Sequence, residues 1–138
     1  MNRRTTPPDG ILEASISLPS SKSLSNRALI LRALTPDGEG TISNLAQCDD
    51  TDVLSAALTQ GRDAREVNIG AAGTAMRFLT AYYAATDGID IVLDGSDRMR
   101  HRPIHALVAA LRPAGAALDS VPDAGFPPTA LRRRNPAA

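Results

Sequence analysis

Twice along this chain the same succession of signals appears: a turn of small or hydroxylated residues, a helical stretch, a β-type stretch, a charged loop, a second helical stretch and a closing glycine. Residues 23–61 form one copy and 73–115 the other. Arg27 and Arg77 stand 50 positions apart, Ile42 and Ile91 49, and Leu54 and Leu107 53. A period near 50 residues confines the fold to repeated α/β units. The alternative, two generic α/β units alike by chance, stays open at this level.

The individual elements follow from periodicity and punctuation. Alternation over residues 11–18 predicts an opening strand, and residues 40–45 and 67–69 and 89–93 predict three more. Residues 23–34 predict a helix with Leu24, Ala28, Leu31 and Ala33/Leu34 on one side, begun by Ser21 or Ser23 as N-cap. Asp49 or Asp50 caps a helix over 51–60 that stops at Gly61, and further helices are predicted over 74–85 and 103–111. Thr35-Pro36-Asp37-Gly38 reads as a turn.

Three segments suit an anion. Lys22 is the only lysine beside 14 arginines, and it lies in Ser20-Ser21-Lys22-Ser23-Leu24-Ser25-Asn26-Arg27 at a helix start. There, unpaired N–H groups, hydroxyls, Lys22 and Arg27 would converge on a phosphate-sized volume. Gly70-Ala71-Ala72-Gly73-Thr74-Ala75-Met76-Arg77 lets a ligand approach the backbone at a second helix start. Asp97-Arg98-Met99-Arg100-His101-Arg102-Pro103 supplies a third, arginine-rich segment. Each has an ordinary reading as well: a capped surface helix, a tight packing turn and a solvated loop. Together they point to a ligand with two anionic groups.

Composition narrows the partners. Fifteen basic and 15 acidic residues cancel, and with 3% aromatics there is neither a nucleic-acid footprint nor a base-stacking surface, so small molecules are expected. No apolar run has membrane length, and the single cysteine, Cys48, fits a reducing compartment; the expected location is the cytoplasm. Cys48 reads as an inert thiol. His101 and His105 have metal spacing on a helix, but Pro103 between them marks a first turn that leaves His101 outside, so no metal site is expected.

The motifs Ser21-Lys22-Ser23-Leu24-Ser25-Asn26-Arg27-Ala28-Leu29, Cys48-Asp49-Asp50-Thr51, Ala72-Gly73-Thr74-Ala75-Met76-Arg77 and Asp97-Arg98-Met99-Arg100-His101-Arg102-Pro103-Ile104 resemble, in order and spacing, the amino-terminal part of 5-enolpyruvylshikimate-3-phosphate synthases. The resemblance runs from residue 11 to about 128. It implies an α/β fold of repeated βαβαββ units in an incomplete domain. It also implies transfer of the enolpyruvyl group of phosphoenolpyruvate to shikimate 3-phosphate with release of phosphate, and no metal or organic cofactor. Carried over, Lys22 would contact both substrates and act in catalysis. Ser23 and Arg27 would hold shikimate 3-phosphate, Gly73 and Arg98 phosphoenolpyruvate, with Thr74 and Arg77 as further candidates.

The chain departs from the family at Ala71, where asparagine is usual, at Phe78, where proline is common, and from Thr129 onward. Family members are about three times as long and hold their site between two domains. Residues 1–19 would then be an opening strand of the other domain, 20–128 a partial transferase domain, and 129–138, with Arg132-Arg133-Arg134, an unstructured tail. A chain of this length is expected to be inactive or very weak alone. The other reading is a non-catalytic phosphometabolite-binding fragment, or the partner of a separate carboxy-terminal half.

Overall fold

The computed structural model describes residues 5–6, 9–11, 13–35, 40–60, 63–120 and 125–131. The expected turn at 35–38, Gly61 and the triple-arginine tail fall wholly or mostly outside them. Two helices come first, α1 (Lys22–Leu34) and α2 (Asp49–Gln60). Then follow β1 (Glu66–Asn68), α3 (Gly73–Ala85), β2 (Ile91–Asp94), the short α4 (Asp97–Arg100), α5 (His105–Leu111), β3 (Leu118–Ser120) and β4 (Thr129–Leu131). From β1 onward this is one βαβαββ unit, the second helical position being divided between α4 and α5.

The four strands form a sheet of order β1-β2-β4-β3. β1 and β2 are parallel, with Val67 opposite Leu93, as a strand–helix–strand crossover through α3 requires. β4 runs antiparallel to both β2 and β3. Ile91-Val92-Leu93 is apolar without alternation, and Ile91 and Leu93 are buried: an interior strand of a covered sheet. Leu54, Ile69, Met76, Leu79, Ile89, Ile91, Leu93, Met99 and Leu131 are the large, fully buried apolar side chains. α3 lies at the centre of this core, burying Ala75, Met76, Leu79, Thr80 and Tyr83. The Thr80 hydroxyl is satisfied inside its own helix by Met76 O at 2.7 Å.

Local chemistry explains the helix starts. Ser21 Oγ accepts the Leu24 N–H at 3.4 Å, as the N-cap expectation required. In α2, Asp49, Asp50 and Asp52 occupy the first turn, where the dipole favours negative charge.

Several expectations are corrected. Residues 11 and 13–18 form no strand and are exposed; none of the strand pairings among the described residues includes them. Residues 40–45 form no strand either. Asn44 has φ 57, and the Ala46 N–H is taken by Ser25 Oγ at 2.9 Å rather than by a ladder. α1 does not bury its leucine face: Ser25, Asn26 and Leu29 are buried, whereas Leu24, Leu31 and Leu34 are 69%, 66% and 56% exposed. A polar lock selects the buried face, since Thr51 Oγ1 donates to Asn26 Oδ1 at 2.9 Å beside the Ser25–Ala46 bond. Residues 129–131, expected to be unstructured, are the fully covered strand β4 between β2 and β3. Three residues carry too little periodicity to announce themselves, and β3 was missed for the same reason.

The repeat is visible in the helices. α1 and α3 are each 13 residues long, and in each an arginine bonds the carbonyl four residues back: Arg27 Nη1 to Ser23 O at 2.9 Å and Arg77 Nη1 to Gly73 O at 3.0 Å. Among the described residues, only the second copy adds strands.

Two stability predictions follow. Leu54→Ala, emptying a fully buried site, lowers unfolding free energy by about 2–5 kcal/mol in denaturant titration. Tyr83 Oη donates to Ala57 O at 3.1 Å, tying α3 to α2; burial, reinforced by Tyr82, pushes its phenol up to about 12 from 10.0. The raised pKa favours the protonated fold, so this stabilisation is complete below about pH 10 and is lost as pH rises toward 12. Tyr83→Phe removes that alkaline component and costs about 0.5–1.5 kcal/mol at neutral pH.

Candidate active site half

The parallel pair β1–β2 sets the position of the site. Beyond β1, the Asn68 side chain accepts the Gly70 N–H at 2.9 Å, and Gly70 takes φ 55, a left-handed turn that glycine adopts without strain. Beyond β2, the Ser96 N–H bonds Gly70 O at 2.9 Å, so the two strand-end loops are held together. A Cβ on Gly95 would come within 2.6 Å of Gly70 O, so this approach requires glycine.

α3 then begins at Gly73 with Ala72 as its N-cap, and no side chain caps it. The second loop continues through α4 to Arg102, whose guanidinium lies over Gly73: a Cβ there would meet Arg102 Cζ at 2.9 Å. Arg77 braces this loop, giving two of its five donors to backbone carbonyls, Gly73 O and Pro103 O (3.2 Å). Below it, Asp94 accepts from Arg100 Nε at 3.0 Å, from Arg100 Nη2 and from the Gly95 N–H at 2.7 Å. The Arg100 guanidinium holds this carboxyl below the usual carboxylate range against the opposing effect of burial, and the Gly95 N–H adds to the lowering.

A cavity of about 320 Å³ opens at this end of the sheet, lined by Lys22, Asp50, Ala71, Gly73, Thr74, Arg77, Phe78 and Arg102. Lys22 Nζ lies 3.6 Å from Asp50 Oδ1, the only carboxylate in the lining. The sequence-derived candidates Lys22, Gly73, Thr74 and Arg77 therefore share one cavity. Arg98 lines an adjoining cavity of about 190 Å³ with Ala71, Met99 and Arg102. Arg102, which no candidate assignment named, lines both, and Asp50 was named only as a helix cap. Both residues lie in the charged motifs of the sequence; which arginine of the run turns inward is a matter of loop geometry.

The expected convergence of Lys22, Ser23 and Arg27 on one volume does not occur. Five residues at 100° each put Lys22 and Arg27 on different sides of α1. Arg27 bonds Ser23 O and Ser23 Oγ and borders an apolar groove of about 410 Å³ lined also by Ile30, Leu31, Leu34, Phe78, Ala81, Tyr82 and Ala85. Cys48 Sγ lies 3.3 Å from Thr51 Oγ1, and His101 Nδ1 lies 2.8 Å from Asp97 O. His105 starts α5, and Pro103 precedes that helix rather than opening it.

An uncapped helix start, an ammonium and two guanidiniums thus gather around one opening at the carboxyl ends of the parallel strands of an α/β domain. The sequence profile of the family described as EPSP synthase (3-phosphoshikimate 1-carboxyvinyltransferase) matches residues 7–65 and 60–136, and the chain belongs to that family. The match runs past Thr129, correcting the expectation that the likeness ends there.

Among its relatives, the chain is 51% identical over 123 residues to the 3-phosphoshikimate 1-carboxyvinyltransferase of Bacteroides fragilis (strain YCH46), covering 89% of this chain and 29% of that protein. It is 38% identical over 151 aligned positions to that of Pectobacterium atrosepticum (strain SCRI 1043), covering 92% and 35%. It thus spans about a third of the length of these relatives and corresponds to their amino-terminal part. In fold it is similar to an EPSP synthase from Acinetobacter baumannii, with TM-score 0.73, 22% identity, 84% of this chain and 31% of that one.

Two outcomes are expected. Gly73→Ala forces the Arg102 guanidinium off the start of α3; because only the end of a flexible side chain must move, the melting temperature changes little while the Arg102 Nε–H resonance shifts. Asp94→Asn removes a carboxylate whose depressed pKa adds stability above the usual carboxylate range and loses it as pH falls through the lowered pKa. The variant is less stable at pH 7, and its stability depends less on pH below about 4 in acid unfolding curves.

Proposed function

We propose that this chain supplies one wall of an enolpyruvyl transferase site, in which the enolpyruvyl group of phosphoenolpyruvate passes to the 5-hydroxyl of shikimate 3-phosphate with release of phosphate. The observation that carries the reading is the gathering of Lys22, Arg102 and the uncapped start of α3 around one cavity. The like charges of Lys22, Arg102 and the neighbouring Arg77 and a positive dipole end repel one another, and an anion bound among them relieves that repulsion.

In this reading Lys22 contacts both substrates, and Gly73 and Thr74 present backbone N–H groups to a phosphate. Arg102, not Arg98, takes the phosphoenolpyruvate role, because it lies over Gly73 in the same cavity as Lys22. Arg98 serves the adjoining cavity, and Arg77 positions the loop. Ser23 and Arg27, already paired on one turn of α1, offer shikimate 3-phosphate a cation outside this cavity.

In the reaction, the 5-hydroxyl oxygen bonds to the substituted enolpyruvyl carbon and gives up its proton to a base as another proton adds to the methylene carbon. Loss of phosphate and a proton then restores the double bond. The cations here stabilise phosphate and carboxylate charge through those steps. The groups that move protons belong, in this reading, to the part of the relatives that this chain does not span, so the chain alone binds without appreciable turnover. A cytoplasmic setting accompanies the reading, supported by the free Cys48; no helix among the described residues is long and apolar enough to cross a membrane.

An amide chemical-shift titration with phosphoenolpyruvate and shikimate 3-phosphate tests this. Saturable shifts are expected at Gly73 and Thr74 and over residues 21–27, with Lys22→Ala weakening binding by roughly 10–100-fold, the loss of one charge-assisted hydrogen bond. Absence of shifts in folded protein would overturn a preformed half-site. Turnover by this chain comparable to that of a full-length relative would overturn the division of labour.

A further inference from the structure

We propose that Asp50 is a positioning residue: its carboxylate holds the Lys22 ammonium over the cavity instead of leaving it in bulk water. The inference rests on the reading of the cavity as an anion half-site. Lysine is a point charge on a four-carbon stem with several rotatable bonds, and such a side chain at an exposed helix start occupies many rotamers unless something fixes it.

Here Lys22, 53% exposed at its side chain, faces Asp50, 22% exposed, at 3.6 Å. An ion pair between two freely solvated partners contributes little. This one differs because one partner is largely covered and its place is set by a buried structure next to it. Thr51, adjacent to Asp50, donates to Asn26 Oδ1, and both residues are buried. Asn26 lies one helical turn after Lys22 on α1, so the bond that fixes α1 against α2 also fixes Lys22 against Asp50. The Ser25–Ala46 bond adds a second point of the same lock.

The other charges of the cavity do not compete for this role. Arg77 is spent on the carbonyls of Gly73 and Pro103, and Arg102 lies over Gly73. Asp50 therefore leaves the site net cationic while directing its one ammonium. A bound phosphate or carboxylate meets an ammonium already in place, which lowers the ordering cost of binding.

Because Lys22 is the only lysine, protein labelled with ¹³C at the lysine ε-carbon gives a single side-chain signal. Its relaxation is measured in ligand-free wild type, Asp50→Asn and Asp50→Glu, followed by titration with inorganic phosphate. The expected result is a restrained Lys22 methylene in wild type, mobility of a free lysine in Asp50→Asn, and partial restraint in Asp50→Glu. Phosphate shifts at Lys22 shrink several-fold in Asp50→Asn while those at the Gly73 and Thr74 amides persist.

Equal Lys22 mobility in wild type and Asp50→Asn overturns the proposal. So does a change confined to α2 amides, which would reduce Asp50 to a helix-start charge. Failure of phosphate to shift Gly73 and Thr74 in every chain would instead sink the anion-site reading, and the ligand-free relaxation would still decide the role of Asp50.

Discussion

The parallel pairing of β1 with β2 is the constraint on which the rest depends. Two adjacent strands running the same way need a long crossover, and here α3 provides it, buried at the centre of the core. The same geometry brings both strands' carboxyl ends to one edge, continued by the bond from the Ile69 N–H to Asp94 O at 2.9 Å. The glycine turn that starts α3 and the loop that carries Arg98, Arg100 and Arg102 must then lie side by side. The site is a consequence of sheet direction before it is a set of residues.

The first helix pair enters the apolar core through Leu29, Leu54 and Ala57, but α1 is fixed against α2 by polar bonds. The Asn26–Thr51 and Ser25–Ala46 bonds are buried, where a hydrogen bond made is modest in net value but one lost leaves an unsatisfied group. Such bonds are directional, so they fix rotation as well as distance. They turn Lys22 toward the cavity at the start of α3 and Arg27 toward the apolar groove farther along the same helix. That rotation leaves Leu24, Leu31 and Leu34 exposed, an arrangement that hydrophobic burial by itself would not choose.

The cationic cavity is the electrostatic counterpart. Arg102 lying over an uncapped helix start with Lys22 across the opening is unfavourable in isolation, and the fold restrains the cations with backbone carbonyls for Arg77 and one carboxylate for Lys22. Asp94, paired with Arg100 and capped by the Gly95 N–H, keeps the supporting loop rigid without placing a second negative charge in the cavity. Cavity-lining charge is thus separated from bracing charge within a run of five residues.

By itself the sequence determined the α/β order, a helix begun by Ser21 or Ser23, another following Gly73, and the repeat linking Arg27 to Arg77. These are local matters: capping, glycine conformation and helical period act within a few residues, so they are written in the chain. Only the tertiary structure decided that residues 11, 13–18 and 40–45 are not strands, that residues 129–131 are one, that α1 buries Ser25 and Asn26 beside Leu29, and that Arg102 shares the cavity with Lys22. A strand exists only where another backbone supplies its hydrogen bonds, and an arginine enters a site only where a loop turns it inward. Both depend on residues distant in sequence, which no local pattern encodes.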